Sequence, residues 1–297
     1  MKIFDCFMYF DEDLILDTRL NILDNYVDYF IIVESRFNHK GDSRSLKFNK
    51  EKFKKFENKI KYIVIDKLPS DLEEISKKDQ GIIREHKFIN NAVKRENFQR
   101  NFIEKGLVEA TDDDLILISD LDEIPNLKDI NLTSLKEKII IFEQIMTYYK
   151  FNLALPNFKW HGTKGCLKKN LISPQWLRNI KSKKYSIFRL DILFSKKRYN
   201  NVKFIQNGGW HFTNIKTAEE IEHKFKSYLH HREFELSNIS LNDIKKIISN
   251  KIAIYDLSVD QRDNKIGSGK KLVNLEDTNL PEYIVQNKNI LSDWFDK

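Results

Sequence analysis

Asp112-Asp-Asp-Leu-Ile-Leu-Ile-Ser-Asp-Leu-Asp-Glu-Ile-Pro125 is the stretch on which the reading of this chain turns. Leu115 to Ile118 is a continuous apolar run without polar alternation, the pattern of a strand buried on both faces. Asp120 and Asp122 follow where that strand runs out. Alternate residues of an extended segment point the same way, so this spacing predicts that the two carboxylates converge. Two hard oxygen donors with open positions suit Mg²⁺ or Mn²⁺ bound together with phosphates. The same acids and Pro125 also fit the start of a helix. A calcium loop of the EF-hand type does not fit, because its central glycine and terminal glutamate are missing.

Upstream, strand-like and helix-like segments alternate. Ile3 to Tyr9, Tyr29 to Val33 and Ile60 to Ile65 read as strands. Asp13 to Tyr26 carries Leu16, Leu20, Leu23 and Val27 at helical spacing, and Glu85 to Gly106 lines Phe88, Ile89, Ala92, Val93, Phe102 and Ile103 along one side. This alternation predicts an α/β fold: a Rossmann-type mixed, mostly parallel sheet flanked by helices, with ligands beyond the carboxyl ends of its strands. Downstream, Ile139 to Phe151 reads as one long strand. Leu155 to Tyr185, with its prolines, tryptophans and Gly162-Thr-Lys-Gly165 turn, reads as loop-rich. Helical spacing of Ile221, Phe225 and Tyr228, then of Leu241, Ile244, Ile248 and Ile252, predicts a C-terminal helical appendage. The division expected is 1–215 for the catalytic domain and 216–297 for an extension packed on it.

The composition is that of a globular protein, with 41% hydrophobic and 32% charged residues across 297 positions. Cys6 and Cys166 form no spacing pattern and read as buried, reduced thiols. The opening MKIFDCFMYFDEDLIL is interrupted by acids, unlike a secretory signal, and no charge-free apolar run is long enough to span a bilayer. A cytoplasmic location is expected. The net charge is +7, with Lys and Arg concentrated at Lys47–Lys61 and Lys181–Lys203. Most of these lysines read as solvating surface, although the second run permits peripheral contact with an anionic membrane. No groove-reading helix or nucleic-acid motif accompanies them, so nucleic acid is not an expected partner. The remaining rival, a metal-dependent nuclease or other phosphoryl-transfer enzyme, rests on the clustered acids and basic surface alone.

Five ordered segments together resemble family 17 glycosyltransferases, the group of β-1,4-mannosyl-glycoprotein N-acetylglucosaminyltransferases. They are Phe4-Asp-Cys-Phe7 with Glu12 through Leu20; Val27-Asp-Tyr-Phe-Ile-Ile-Val-Glu34; Arg95-Glu-Asn-Phe-Gln-Arg-Asn101; Ser119-Asp-Leu-Asp-Glu-Ile-Pro125; and Gly208-Gly-Trp-His-Phe212 with Glu220 and Lys224. The resemblance implies a GT-A fold, a UDP-sugar donor (UDP-GlcNAc), a divalent metal, and inverting transfer to a glycan, glycolipid or glycoprotein acceptor. By the same resemblance Asp120 and Asp122 hold the metal and His211 completes its shell; a buried histidine bonded to backbone is the rival for His211.

The remaining candidates come from residue chemistry. Glu34 closes an apolar strand, where it suits a ribose or uracil contact or a helix start at Ser35. Arg95, Arg100 and Asn101 lie on the helix preceding the acidic turn, and arginine's fork suits phosphate; a solvated helix face is the alternative. Inversion needs a carboxylate base. Asp191, on what reads as an apolar strand among Phe188, Leu190 and Ile192, is preferred over Glu143 and over Glu220, which completes a capping box with Thr217. His223, His230 and His231 read as exposed helix histidines rather than zinc ligands. The sequons at Asn131-Leu-Thr133 and Asn238-Ile-Ser240 carry no meaning in a cytoplasmic protein.

Overall fold

The computed structural model describes residues 1–128, 130–132, 136–186, 189–227, 239–255 and 269–296, the side chains of Leu190 and Leu193 excepted. Four parallel strands form one half of the sheet. They are β1 (Ile3–Tyr9), β2 (Tyr29–Ser35), β3 (Ile60–Ile65) and β4 (Leu115–Ile118), in the order β3-β2-β1-β4. All four residues of β4 are buried, as its unbroken apolar run requires. Helix α1 (Asp13–Leu23) and the long α2 (Gly81–Asn101) supply the crossovers.

Beyond β4 the sheet ceases to be purely parallel. Strand β7 (Leu153–Leu167) runs antiparallel to both β4 and β6 (Ile139–Tyr148). Strands β8 (Val202–Ile205) and β9 (Gly209–Thr213) pair in parallel with successive halves of β6, and the short β5 (Glu123–Pro125) closes the order antiparallel to β9. The sheet is therefore mixed, as expected, but it is mostly parallel only in its first half.

The stretch expected to be loop-rich contains the longest described strand. Gly165 lies in β7 because a Cβ there would stand 2.8 Å from Ile140 of β6 and Leu117 of β4, so the glycine lets three strands close up rather than turning the chain. Helix α3 (Pro174–Asn179) follows, capped by Ser173 accepting from the Trp176 amide, with Pro174 in its first turn. Helix α2 also departs from expectation. Ile89 and Val93 are exposed, while Gln99 and Arg100 are buried, because the last turns of the helix lie over the carboxyl ends of the strands.

At the C-terminal end, α5 (Ala218–Ser227) and α6 (Leu241–Ser249) pack Ile221, Phe225 and Ile244 against Met146, Tyr148 and Leu153. The reading at Tyr228 lies outside the described residues. The chain then adds β10 (Val273–Asn274) to β7 and ends with α7 (Glu282–Gln286) against α1, where the Tyr283 hydroxyl donates to Asp17. Leu280, Ile284, Leu291 and Phe295 belong to the cluster that contains Phe7, Leu16, Leu20 and Phe212. Cys6 and Cys166 are free and buried.

Candidate active site

A cavity of about 230 Å³ opens at the carboxyl ends of β1, β2 and β4, where a parallel sheet presents its ligand crevice. Tyr9 and Phe10, the loop carrying Phe37, Asn38 and His39, the turn Asp120-Leu121-Asp122, His211 and Lys224 all face it.

The acidic turn is built around one buried cation. Arg19 projects from the inward face of α1 and is fully buried beside Asp5 of β1, which accepts from Nε at 2.7 Å and Nη2 at 2.6 Å. The rest of its guanidinium donates to the backbone carbonyls of Asp120, Leu121 and Glu123 and to the Ser119 hydroxyl. Arginine suits this task because its donors are fixed in a plane and always charged. The result is a turn, closed by the Glu123 amide on the Asp120 carbonyl at 3.1 Å. Residues 120–122 are thus not the extended segment expected from the sequence, and the two aspartates acquire different surroundings.

Both carboxylate oxygens of Asp120 are taken by arginines: Arg100 donates to Oδ1 at 2.9 Å and Arg178 of α3 donates to Oδ2 at 2.7 Å. Burial acts to raise its pKa, but Arg178 and Arg100 outweigh it and hold the group far below the usual carboxylate range. Arg178 also grips Glu123 through both nitrogens at 2.7 Å, and the Trp160 indole donates to the same carboxylate at 2.6 Å. Glu123 is fully buried and saturated. Gly162 makes the space, since a Cβ there would lie 2.9 Å from the Glu123 carboxyl carbon.

Asp122 is turned toward His211 instead. Strand β9 pairs His211 opposite Glu123, and the Phe212 amide donates to the Asp122 carbonyl. This brings His211 Nε2 to 3.5 Å from Asp122 Oδ1. Gly209 allows β9 to lie this close. Its φ is +127°, and a Cβ would fall 2.1 Å from the Ile124 carbonyl. For Asp122, burial acts to raise the pKa and the His211 charge to lower it, with a net lowering; for His211, burial acts downward and Asp122 upward, with a net rise. The imidazole Nδ1 is buried and has no hydrogen-bond partner among the described residues.

The pair fits one divalent cation in donor type and spacing. Two ligands each about 2.1 Å from an ion, at angles of about 90–110°, stand about 3.0–3.5 Å apart. Asp120 does not fit as a second carboxylate ligand in this arrangement, because both its oxygens face arginines. Among the described residues no three His, Cys, Asp or Glu side chains are grouped as a ready-made metal centre.

The other sequence candidates separate clearly. Glu34 is fully buried and accepts from the Lys47 and Phe48 amides and the Tyr62 hydroxyl, with Arg44 at 3.1 Å. It anchors the loop after β2 rather than facing the cavity. Arg95 donates to the His39 carbonyl, and Asn101 accepts from the Gln175 amide at the start of α3. These two order the loop and helix around the cavity without lining it. Asp191 sits on the four-residue α4 (Leu190–Leu193), not on a strand, where Arg189 and Arg198 bind it at 2.7 and 3.2 Å. It is half exposed and outside the cavity lining. Phe188 lies outside the described residues, as do Thr133 and Asn238 of the sequons and the histidines His230 and His231. Glu143 pairs with His161 away from the cavity, and Glu220 completes the capping box with Thr217.

Sequence reasoning assigned nothing to Arg19, Asp5, Glu123 or Arg178. The first two carried a legible signal, an arginine on the apolar face of a helix and an acid within an apolar strand. Arg178 carried none, since α3 was itself not foreseen. Glu12, which also lines the cavity, lies 3.9 Å from both Lys216 and Lys224.

A helix-flanked mixed sheet with an acidic turn at the end of a buried strand, facing a histidine from a late strand, defines an α/β protein with its site at the strand ends. The chain belongs to glycosyltransferase family 17, whose model matches residues 1–291, and it is therefore a transferase of glycosyl groups. No curated protein matches the chain. Among solved structures, HddC from Yersinia pseudotuberculosis is 11% identical, over 69% of this chain and 89% of that one, with a TM-score of 0.31. HddC complexed with GMP-PN is 12% identical over the same shares, with a TM-score of 0.30. Likenesses at that level carry no weight for fold or ligand.

Proposed function

We propose that the protein is a GT-A-like, metal-dependent inverting glycosyltransferase that moves a sugar, N-acetylglucosamine, from a UDP-sugar to a glycan, glycolipid or glycoprotein acceptor. The observation that carries this reading is the 3.5 Å approach of Asp122 to His211 inside a cavity at the carboxyl ends of parallel strands. Asp122 and His211 are the residues that would hold Mn²⁺ or Mg²⁺, with the remaining positions left to donor phosphate and water. The ion would supply charge neutralisation on the departing nucleotide diphosphate.

The chain's own residues divide the rest of the work. Phe10 and Phe37 offer aromatic surface for a nucleobase, and Lys224 supplies positive charge at the same cavity. Arg44 stacks its guanidinium over Phe10 and donates to the Phe10 and Ser35 carbonyls, which fixes the ring in place. Asp120, tied to Arg100 and Arg178, stays ionised and orients the turn. Because Asp191 stands outside the cavity, the base that takes the acceptor proton is better assigned to Glu12.

The test is thermal unfolding of the wild type, Asp122→Ala and His211→Ala with UDP-GlcNAc and other nucleotide sugars, with and without Mn²⁺. A ligand that binds only the folded state raises the midpoint. A shift in the wild type that requires metal and is absent from both variants supports the reading. A shift that is indifferent to metal, or retained in both variants, overturns the metal assignment.

A further inference from the structure

The charge of this protein is gathered in one place. Residues 181–203 hold eight Lys and Arg against a single acid, Asp191, a net of +7. The whole chain also carries +7, so outside this stretch 43 basic residues face 43 acidic ones.

The two basic runs of the sequence behave differently once folded. In the first, three of the seven lysines find acids on neighbouring elements: Lys52 pairs with Asp13, Lys59 with Asp24 and Lys61 with Glu109, at 2.6 to 3.0 Å. In the second, Asp191 is already held by Arg189 and Arg198. Lys181, Lys183, Lys184, Lys196 and Lys197 are exposed, and among the described residues none has a carboxylate within ion-pair distance. Self-repulsion of this kind is relieved by an anionic partner.

The same stretch of chain displays an apolar side chain. Phe194 is 89% exposed, the highest value among the exposed large hydrophobic residues, and it immediately precedes the Ser195-Lys196-Lys197 segment. An exposed ring within a few residues of exposed lysines gains from entering a headgroup region, where anionic charge and an apolar interior lie within a few ångströms of each other. A nucleic acid would satisfy the lysines but offers a lone protruding phenyl ring no groove.

The face is fastened to the site. The Lys181 amide donates to the Lys197 carbonyl, tying the two ends of the run together, and the Trp176 indole donates to the Lys196 carbonyl at 2.6 Å. Trp176 belongs to α3, whose Arg178 grips Asp120 and Glu123.

We propose that Phe194 and the surrounding lysines dock this enzyme on an anionic phospholipid bilayer, Phe194 entering the interface and the lysines meeting the headgroups. This surface does not depend on the donor or metal assignment, because its occupation is read with neither present.

The test is co-sedimentation of the full chain with vesicles of phosphatidylcholine alone and of phosphatidylcholine containing phosphatidylglycerol, at low and high salt. The expected result is binding to the anionic vesicles only, weakened as salt rises. Lys196→Gln combined with Lys197→Gln should lose roughly thirtyfold in affinity at low salt. Phe194→Ser should weaken binding with the salt dependence retained. All three changes lie at exposed positions, and unchanged circular dichroism and unfolding midpoints establish that the variants are folded. Equal binding to both vesicle types, no binding to either, or anionic binding untouched in both variants overturns the proposal. Binding to heparin or RNA without binding to anionic vesicles also overturns it, and reassigns the patch to a soluble polyanion.

Discussion

At the residue scale, the acidic turn shows how much of a candidate site is set by groups that do not line its cavity. The Asp-x-Asp spacing and His211 stood out in the sequence, but the division of labour within the turn did not. Asp120 is locked by two arginines, Glu123 is saturated, and only Asp122 turns to His211. A linear sequence does not display this, because the arginines come from α2 and α3, 20 and 58 positions away from Asp120. Arg19 is the centre of the arrangement. Arg19→Met would leave the Asp5 carboxylate buried without its partner and three turn carbonyls without their donor. The expected loss is about 3–5 kcal/mol of stability in urea unfolding, partly recovered when Asp5→Asn is added. Unchanged stability in the single variant would mean that the pair contributes nothing net. Glu12→Gln removes the proposed base with little change in shape. It should lower kcat by about 10²–10⁴-fold while leaving the donor KM within a few-fold. A rise in KM alone would make Glu12 a binding residue.

At the element scale, the strands β1, β3 and β4 lie where apolar runs put them; β1 and β4 are buried almost throughout, while β3 is half-buried with only Ile65 fully covered. Strand β7 was not legible. Its glycines and proline imitate a turn, and their true role, close approach to β4 and β6, is a property of neighbours distant in the chain. Helix α3 depends on β7 in turn. Lys164 of β7 is buried and donates to the Arg178 carbonyl at 2.7 Å and also to the Ile180 carbonyl, neutralising the end of the helix that presents Arg178. Burial, reinforced by the nearby Arg178 charge and opposed by Glu123, brings the Lys164 pKa down to about 7. The sign follows from the proton count. Between about pH 7 and the ordinary lysine range the unfolded chain binds the extra proton, so raising the pH favours the folded state. The stability of the wild type relative to Lys164→Met should therefore increase between pH 7 and pH 9 in thermal unfolding. A difference that is flat or falls with pH would mean that Lys164 stays charged in the folded protein.

At the scale of the whole molecule, the sequence suggested a catalytic region ending near residue 215 and an extension packed upon it. Helices α5 and α6 do pack on the far end of β6 and β7, but the last segment goes further. Phe295 meets Phe151, with ring centroids 6.1 Å apart, and Phe151 in turn meets Phe212 edge-on at 5.1 Å, one residue from His211. The Phe151 amide donates to the Trp294 carbonyl, and the Asn152 side chain exchanges hydrogen bonds with the backbone of Asp296. The terminal residues thus complete the core that supports β9 and its histidine. Phe295→Ala should cost about 3 kcal/mol in unfolding free energy, since a nearly buried ring leaves a cavity behind. A fragment ending at residue 215 should go further and lose cooperative unfolding altogether, because it exposes the faces of α1 and Phe151 that Leu280, Ile284, Leu291 and Phe295 cover. A single sharp transition in that fragment, at a midpoint close to that of the full chain, would mean that the first 215 residues form an independent unit and that the C-terminal residues only decorate it.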